Sequence, residues 1–459
     1  MVERLGRLDA SFLYLEEPGV PMNVGGVLIL DAPPGGLEAL AALVEARLSL
    51  VPRYRQRVVQ VPGQLANPVW VDDPDFDISY HLRRSGLPRP GTERQLLDLV
   101  ARLTARTLDR NRPLWEVYLV EGLTDGRVAV VTKTHPALVD GLSAIDIGQV
   151  LLDVEPDAPA PAPMKWTPRR PPTGVELVWE ALDEYVRRPS SAIETVRGAV
   201  TDVRSTAARV TGIAGGLLRT ARQVVLPVRH SPLNAPVGRQ RRVAVARVEL
   251  GDVKRIRKAH GGTVNDVLLN VLTGALREWL LSRGQPVIAG TSVRALVPIS
   301  MQDEEVVPGN RVSSYLVDLP VGEPNPWVRL TRLSYAMRGT AQHGRSVGAD
   351  SLIALTGFAP PTLHALGARA ARGLSRRLFN LIVTNVPGPQ VPLYAAGSQM
   401  LEVFPVVPLV SGQGLSIGMT SYNGRVFFGL NADLDSVGDV DILADLIEQE
   451  VSELVETLD

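Results

Sequence analysis

Val128-Ala129-Val130-Val131-Thr132-Lys133-Thr134-His135-Pro136-Ala137-Leu138-Val139-Asp140-Gly141-Leu142-Ser143 reads as a strand that empties through a short loop into a helix. The Val-rich run from Gly126 to Lys133, bounded by turn residues, suits a strand buried on both faces. Asp140-Gly141 is a turn, and Gly141 permits the tight entry into a helix beginning near Leu142. The junction carries His135, followed by Pro136, which has no titratable group, no N–H and a locked φ. Neighbouring side chains in extended chain point to opposite faces, so His135 is expected to face away from the direction of position 136. A one-residue bulge would swing it back.

Outward from this unit the pattern stays α/β. Val24 to Leu30 reads as another buried strand, and Leu37 to Leu50 and Leu96 to Leu108 carry apolar residues at helical spacing. Residues 153 to 172 hold seven prolines, too many for a helix or a central strand, which places a linker there and ends a first domain at 152. Residues 187 to 229 hold eight arginines against Glu194 and Asp202, threaded through Val, Ile, Leu and Ala as in amphipathic helices. They suit either a helix bridging two domains with its arginines in water or a basic face on anionic lipid head groups. Gly212, Gly215 and Gly216 weaken such a helix in isolation, so packing or lipid must help form it.

A second domain spans 239 to 459, after a linker region of 153 to 238. It opens with strand-like Arg241 to Leu250, and Thr263 is an N-cap for a helix to Leu281 whose apolar face runs through Val267, Leu268, Val271, Leu272, Ala275, Leu276 and Leu280. Strands are predicted at Arg294 to Ile299, Val312 to Leu319, Leu381 to Thr384, Leu415 to Met419 and Val426 to Leu430, with a closing helix from Val440 to Leu458. No short-period repeat occurs.

Composition removes several function classes. With 459 residues, 45% of them hydrophobic, there is core enough for two domains. The 48 basic and 49 acidic residues nearly cancel, which leaves no global field for nucleic acid. The absence of cysteine excludes disulfides, a Cys nucleophile and thiolate metal sites, and the six histidines include no His-x-x-x-His pair, so no metal site is expected. No apolar leader and no bilayer-length apolar run is present, which predicts a cytoplasmic protein.

Short motifs recur along the whole chain: Leu8-Asp9-Ala10-Ser11-Phe12, Pro21-Met22, Pro113-Leu114-Trp115-Glu116, the stretch from Lys133 to Ser143, Ser231-Pro232-Leu233-Asn234 and Thr263-Val264-Asn265-Asp266-Val267. Gly309-Asn310-Arg311, Thr384-Asn385-Val386-Pro387-Gly388-Pro389, Ser421-Tyr422 and Ala432-Asp433 continue the series. In this order and spacing the chain resembles the bacterial wax ester synthase/diacylglycerol acyltransferase family, whose HHxxxDG signature matches at His135, Asp140 and Gly141 with Pro136 in place of the second histidine. Taken singly, each motif has an ordinary structural reading: a turn at Asp140-Gly141 or Pro387-Gly388, a core Trp115, a helix-capping Asn265.

The resemblance implies two chloramphenicol-acetyltransferase-like mixed-sheet α/β domains joined by a helical linker, with the active site in a tunnel between them. It also implies a long-chain acyl-CoA donor, a diacylglycerol or long-chain alcohol acceptor, and triacylglycerol or wax ester as product, with no resident cofactor. Separately, the basic amphipathic segment 187 to 229 predicts peripheral association with an anionic membrane or lipid-droplet surface. The family's second histidine acts as general base on the acceptor hydroxyl. Asp140 is implied to fix the loop by pairing with an arginine, for which Arg294 is the candidate. Asn265 is implied to donate to the developing oxyanion, and Pro113, Leu114, Trp115, Gly141, Asp266 and Asn385 to line the substrate site.

Three family positions are altered: Asn23 stands where histidine is usual, Gln302 where arginine is usual, and Pro136 where the base belongs. Three readings compete. One is an O-acyltransferase with weakened catalysis that relies on His135 or a substrate group as base. The second is a non-catalytic acyl-CoA or lipid-binding protein, and the third an acyltransferase for a specialised acceptor.

Overall fold

The computed structural model describes residues 2–138, 147–159, 166–187, 231–300, 312–342 and 378–458. Asp140, Gly141, Gln302, Gly309-Asn310-Arg311 and the basic segment beyond Arg187 lie outside them. The first half contributes β1 (Glu3–Arg4), β2 (Val24–Leu30), β3 (Gln56–Val59), β4 (Val69–Asp72), β5 (Leu82–Gly86), β6 (Trp115–Glu121) and β7 (Val128–Thr134). The second contributes β8 (Arg241–Glu249), β9 (Val293–Ser300), β10 (Val312–Leu319), β11 (Leu381–Pro387), β12 (Tyr394–Ala395), β13 (Ser398–Val406), β14 (Leu415–Tyr422) and β15 (Arg425–Asp433).

These strands form two six-stranded mixed sheets, β12-β13-β2-β7-β6-β5 and β10-β9-β11-β14-β15-β8, and a small sheet β1-β4-β3. β7 lies inside the first sheet, antiparallel to both β2 and β6, and every residue of it is buried. That is why its sequence is an unbroken Val-rich run and why its carboxyl end delivers His135 to a fixed place. Helices Gly36–Arg47 and Glu93–Thr104 occupy the segments that the helical spacing predicts, each ending a few residues earlier than expected.

In the second half the helix Val264–Ser282 buries Val267, Leu268, Val271, Leu272, Ala275, Leu276 and Trp279 in the core of that sheet. Its cap is as the sequence predicts. The Thr263 hydroxyl accepts from the Asp266 N–H at 3.1 Å and the Asp266 carboxylate accepts from the Thr263 N–H at 2.9 Å, a reciprocal arrangement that satisfies two otherwise orphaned donors.

The sheets do not follow the boundary at 152. β12 and β13, from residues 394 to 406, cross from the second half and complete the first sheet, with β13 antiparallel to β2. Pro405 weakens this segment as a strand candidate in the sequence; β12 pairs with β13 only at residues 398 and 399, so Pro405 sits on open edge and removes no ladder bond there.

β13 packs across β14 and β15 over two glycines, Gly418 and Gly429, which are register partners. A Cβ at Gly429 would fall within the Pro405 backbone, and one at Gly418 would stand 2.9 Å from the Pro405 ring. Ion pairs tie the halves further: Asp441 accepts from Arg94 at 2.6 Å and from Arg242 at 2.7 Å, and Arg247 bridges Glu402 at 2.7 Å and Glu93.

Candidate active site

Strand β7 ends in a turn, not a bulge. Its register with β2 and β6 is continuous to Thr134, and the chain then folds into the 3-10 turn Pro136–Leu138, closed by the Leu138 N–H donating to the His135 carbonyl at 2.9 Å. Proline at the first turn position removes an N–H that would have been unpaired anyway. The helix Arg7–Leu15, which carries the Leu8-Asp9-Ala10-Ser11-Phe12 motif, packs on this turn, so two stretches distant in sequence meet here.

His135 points into the core and is 1% exposed. Its Nδ1 accepts from the Ala137 N–H at 3.0 Å, so the ring proton of the neutral form sits on Nε2, which has no partner among the described residues. Burial, with the nearby Arg110 charge adding to it, pushes its pKa down to about 3. Neither nitrogen is a free base: Nδ1 is engaged and Nε2 carries hydrogen. Pro136, by contrast, is half-buried between buried neighbours, which makes it the accessible position at the end of β7.

Lys133 occupies the face of β7 next to β6, where its amine pairs with Glu116 at 3.2 Å in nearly complete burial. The Tyr118 hydroxyl donates to the same carboxylate at 2.9 Å. Burial pulls the lysine pKa below its ordinary value, and Glu116 offsets part of that shift. Both residues belong to separate motifs in the sequence, and their register partnership in adjacent strands is the signal that joins them. Asn23 is also buried, with its side-chain NH2 donating to the Arg106 carbonyl at 2.8 Å.

Other expected site residues separate into groups. Asn385 donates to the Asn265 side-chain oxygen at 2.9 Å, joining two of the motifs and leaving the Asn265 NH2 without a partner among the described residues. No hydrogen bond among these residues links that pair to His135. Asp266 caps the helix and accepts from the Ser334 hydroxyl at 3.1 Å, a structural task. Trp115 is fully buried, donates to the Tyr54 carbonyl at 2.7 Å and stacks on His81 at 4.7 Å, with Pro113 and Leu114 buried beside it. Arg294 pairs with its cross-strand neighbour Asp318 at 2.7 Å, and its expected partner Asp140 lies outside the described residues.

The buried His135 makes stability depend on pH. Its folded pKa of about 3 lies below the unfolded value of about 6.5, so between those values the unfolded chain binds more protons. The stabilisation is complete above about pH 6.5 and is lost as pH falls toward the folded value. His135→Asn supplies an oxygen in place of Nδ1 and removes the titration. From pH 7.5 to 4.5 the variant is expected to lose about 2–3 kcal/mol less stability than the parent, measured by urea denaturation. His81, also shifted down by burial, and Glu450, shifted up by burial, titrate in both proteins. Equal losses in parent and variant would show that His135 titrates normally.

Comparison with known proteins fits this geometry. Residues 5–268 match the wax ester synthase/diacylglycerol acyltransferase catalytic domain and residues 308–455 match the C-terminal domain of the same family. A Mycobacterium tuberculosis protein named by inference as a diacylglycerol O-acyltransferase is 33% identical, over 100% of this chain and 91% of its own. A second protein of that organism, named in the same way, is 34% identical over 99% and 96%. The solved wax ester synthase/diacylglycerol acyltransferase of Marinobacter aquaeolei superposes with a TM-score of 0.70 at 28% identity, covering 99% of both chains. The starter condensation domain of rhizomide synthetase, 12% identical, superposes at 0.57 over 99% of this chain and 94% of its own, a likeness of fold alone. The architecture is thus the two-domain, chloramphenicol-acetyltransferase-like one, and the chain belongs to the wax ester synthase/diacylglycerol acyltransferase family of acyltransferases.

Proposed function

We propose that this chain transfers an acyl group from a long-chain acyl-CoA to the hydroxyl of diacylglycerol or a long-chain alcohol, forming triacylglycerol or wax ester without a protein general base. The observation that carries this reading is the pairing of an accessible Pro136 with a His135 locked into the core. The acceptor oxygen attacks the thioester carbonyl, the tetrahedral oxyanion collapses, and CoA leaves as the thiolate. The hydroxyl proton ends on that sulfur, directly or through water, which balances the reaction with no histidine. Asn265 is the donor we assign to the oxyanion, since its NH2 is uncommitted and Asn385 fixes its orientation. No resident cofactor enters the scheme; acyl-CoA is a co-substrate.

The tunnel between the halves, the loop-fixing role of Asp140 and Gly141, and the substrate-lining roles of Pro113, Leu114 and Asn385 belong to this proposal. So does peripheral residence on a membrane or lipid-droplet surface. It is supported by the helix Gly174–Arg187, whose Val175, Trp179 and Leu182 are exposed one turn apart on one face while Leu177 and Ala181 are buried. No helix among the described residues is long and apolar enough to cross a membrane.

A second reading, a binding protein that holds acyl-CoA without turnover, is favoured by the same locked His135. One experiment separates the two. Purified protein is incubated with palmitoyl-CoA and anionic vesicles containing diolein or hexadecanol, and both ester formation and vesicle flotation are followed at low and high salt. Slow ester formation with salt-sensitive flotation is expected. Acyl-CoA binding with no ester leaves the binding protein, and flotation that ignores salt removes the lipid-surface assignment.

A further inference from the structure

Five arginines and one aspartate line a cleft of about 490 Å³ where the end of the helix Glu93–Thr104 meets the start of β8. Two of the arginines are committed. Arg241 is buried and forks onto the carbonyls of Gly19 at 2.7 Å and Gly238 at 2.9 Å, tying the cleft wall across the two halves. Arg242 pairs with Asp441, and Asp98, the only lining acid, pairs with Arg94 at 2.6 Å. That leaves Arg102 and Arg106 from one half and Arg239 from the other, all exposed, with no carboxylate or hydrogen-bond acceptor on their guanidinium groups among the described residues.

Three guanidinium-bearing side chains line one concavity without the carboxylate partner that most arginines among the described residues possess. Their planar forks match phosphate oxygens two at a time, and the cleft volume is that of a small-molecule site. The position also connects to the motif strand: the Arg106 carbonyl holds Asn23, and the Arg106 charge reaches Lys133.

We infer that Arg102, Arg106 and Arg239 form a docking cleft for the phosphate groups of a polyphosphorylated ligand, the nucleotide half of the CoA thioester. The source of the phosphates rests on the acyl-CoA reading above; the phosphate chemistry of the cleft does not. A phospholipid head group offers the same chemistry from a different source.

Calorimetric titration of the full chain with free CoA tests this, for the parent and for Arg102→Gln, Arg106→Gln, Arg239→Gln and their triple combination. The side chains are exposed, so the fold is expected to persist, as far-UV circular dichroism will check. Each single change is expected to weaken CoA binding about tenfold, equivalent to about 1.4 kcal/mol, with a shallower salt dependence, and 3′-dephospho-CoA is expected to bind the parent less tightly. Arg127→Gln, in the loop at the opposite end of β7, should bind CoA as the parent does. A triple variant with parental CoA affinity overturns the inference. Loss of binding to phosphatidylglycerol vesicles with CoA affinity intact assigns the cleft to head groups and overturns the CoA assignment. Arginine-dependent CoA binding without any ester formation sinks the acyltransferase reading and leaves the cleft standing; ester formation with an unchanged KM for acyl-CoA in the triple variant does the reverse.

Discussion

Pro136→His is expected to raise kcat for acyl transfer by about 10² to 10⁴-fold, the range over which a positioned general base acts. The gain depends on where the new imidazole stands. Position 136 is the accessible one at the carboxyl end of β7, so the ring keeps water contact and titrates near its ordinary value of about 6.5. His135, one residue earlier, is desolvated and engaged, and on the proposed reading is expected to add nothing to the rate. Relaxing the locked φ of proline costs about 0.4–1 kcal/mol through the unfolded chain, small beside the expected gain. KM for acyl-CoA should stay the same, since a base that acts only in the transition state leaves ground-state binding alone. The rate of the variant should rise with pH through the imidazole pKa, and the parent should lack that limb. A variant no faster than the parent would mean that position 136 does not meet the acceptor hydroxyl, and would end the argument for base-free catalysis.

Local signals in the sequence are legible where local physics decides the structure. β2 and β7 are rich in Val, Ile and Leu because most of their residues are buried, and the helix Val264–Ser282 announces its start through Thr263. β13 was not legible. Glu402 and Pro405 interrupt its apolar pattern, and their reasons are non-local: Glu402 receives Arg247 from β8, and Pro405 rests on Gly418 and Gly429.

The candidate site divides in the same way. The motif residues Asn265 and Asn385 do meet, and the Leu8–Phe12 motif does reach the Pro136–Leu138 turn. Asp266 and Arg294 hold structural partners among the described residues. Asp266 stands at the third helical position after Thr263, a capping signal in its own right, whereas Asp318 becomes the partner of Arg294 only through the β9-β10 register. The arginine cleft escaped because a near-zero net charge hides a local excess assembled from two distant segments.

The crossing of β13 over Gly418 and Gly429 makes a graded stability prediction. A methyl group at Gly429 meets the backbone of Pro405, and backbone can yield only by moving β13, which carries the first sheet's link to the second half. Overpacking of this kind typically costs about 1–3 kcal/mol, and rigid backbone on the far side puts Gly429→Ala at or above the upper end, about 3 kcal/mol. Gly418→Ala meets the Pro405 ring and a Val407 methyl at 2.9 Å, softer obstacles that put its cost near 1–2 kcal/mol. Gly251→Ala, in the helix Leu250–His260 with nothing within 4 Å of the added carbon, should be neutral or stabilise by up to about 1 kcal/mol through helix propensity. Urea midpoints with a common slope give the order directly. If Gly429→Ala unfolds no earlier than Gly251→Ala, the two sheets are not joined through Pro405, and the exchange of β13 cannot be what holds the halves of the molecule together.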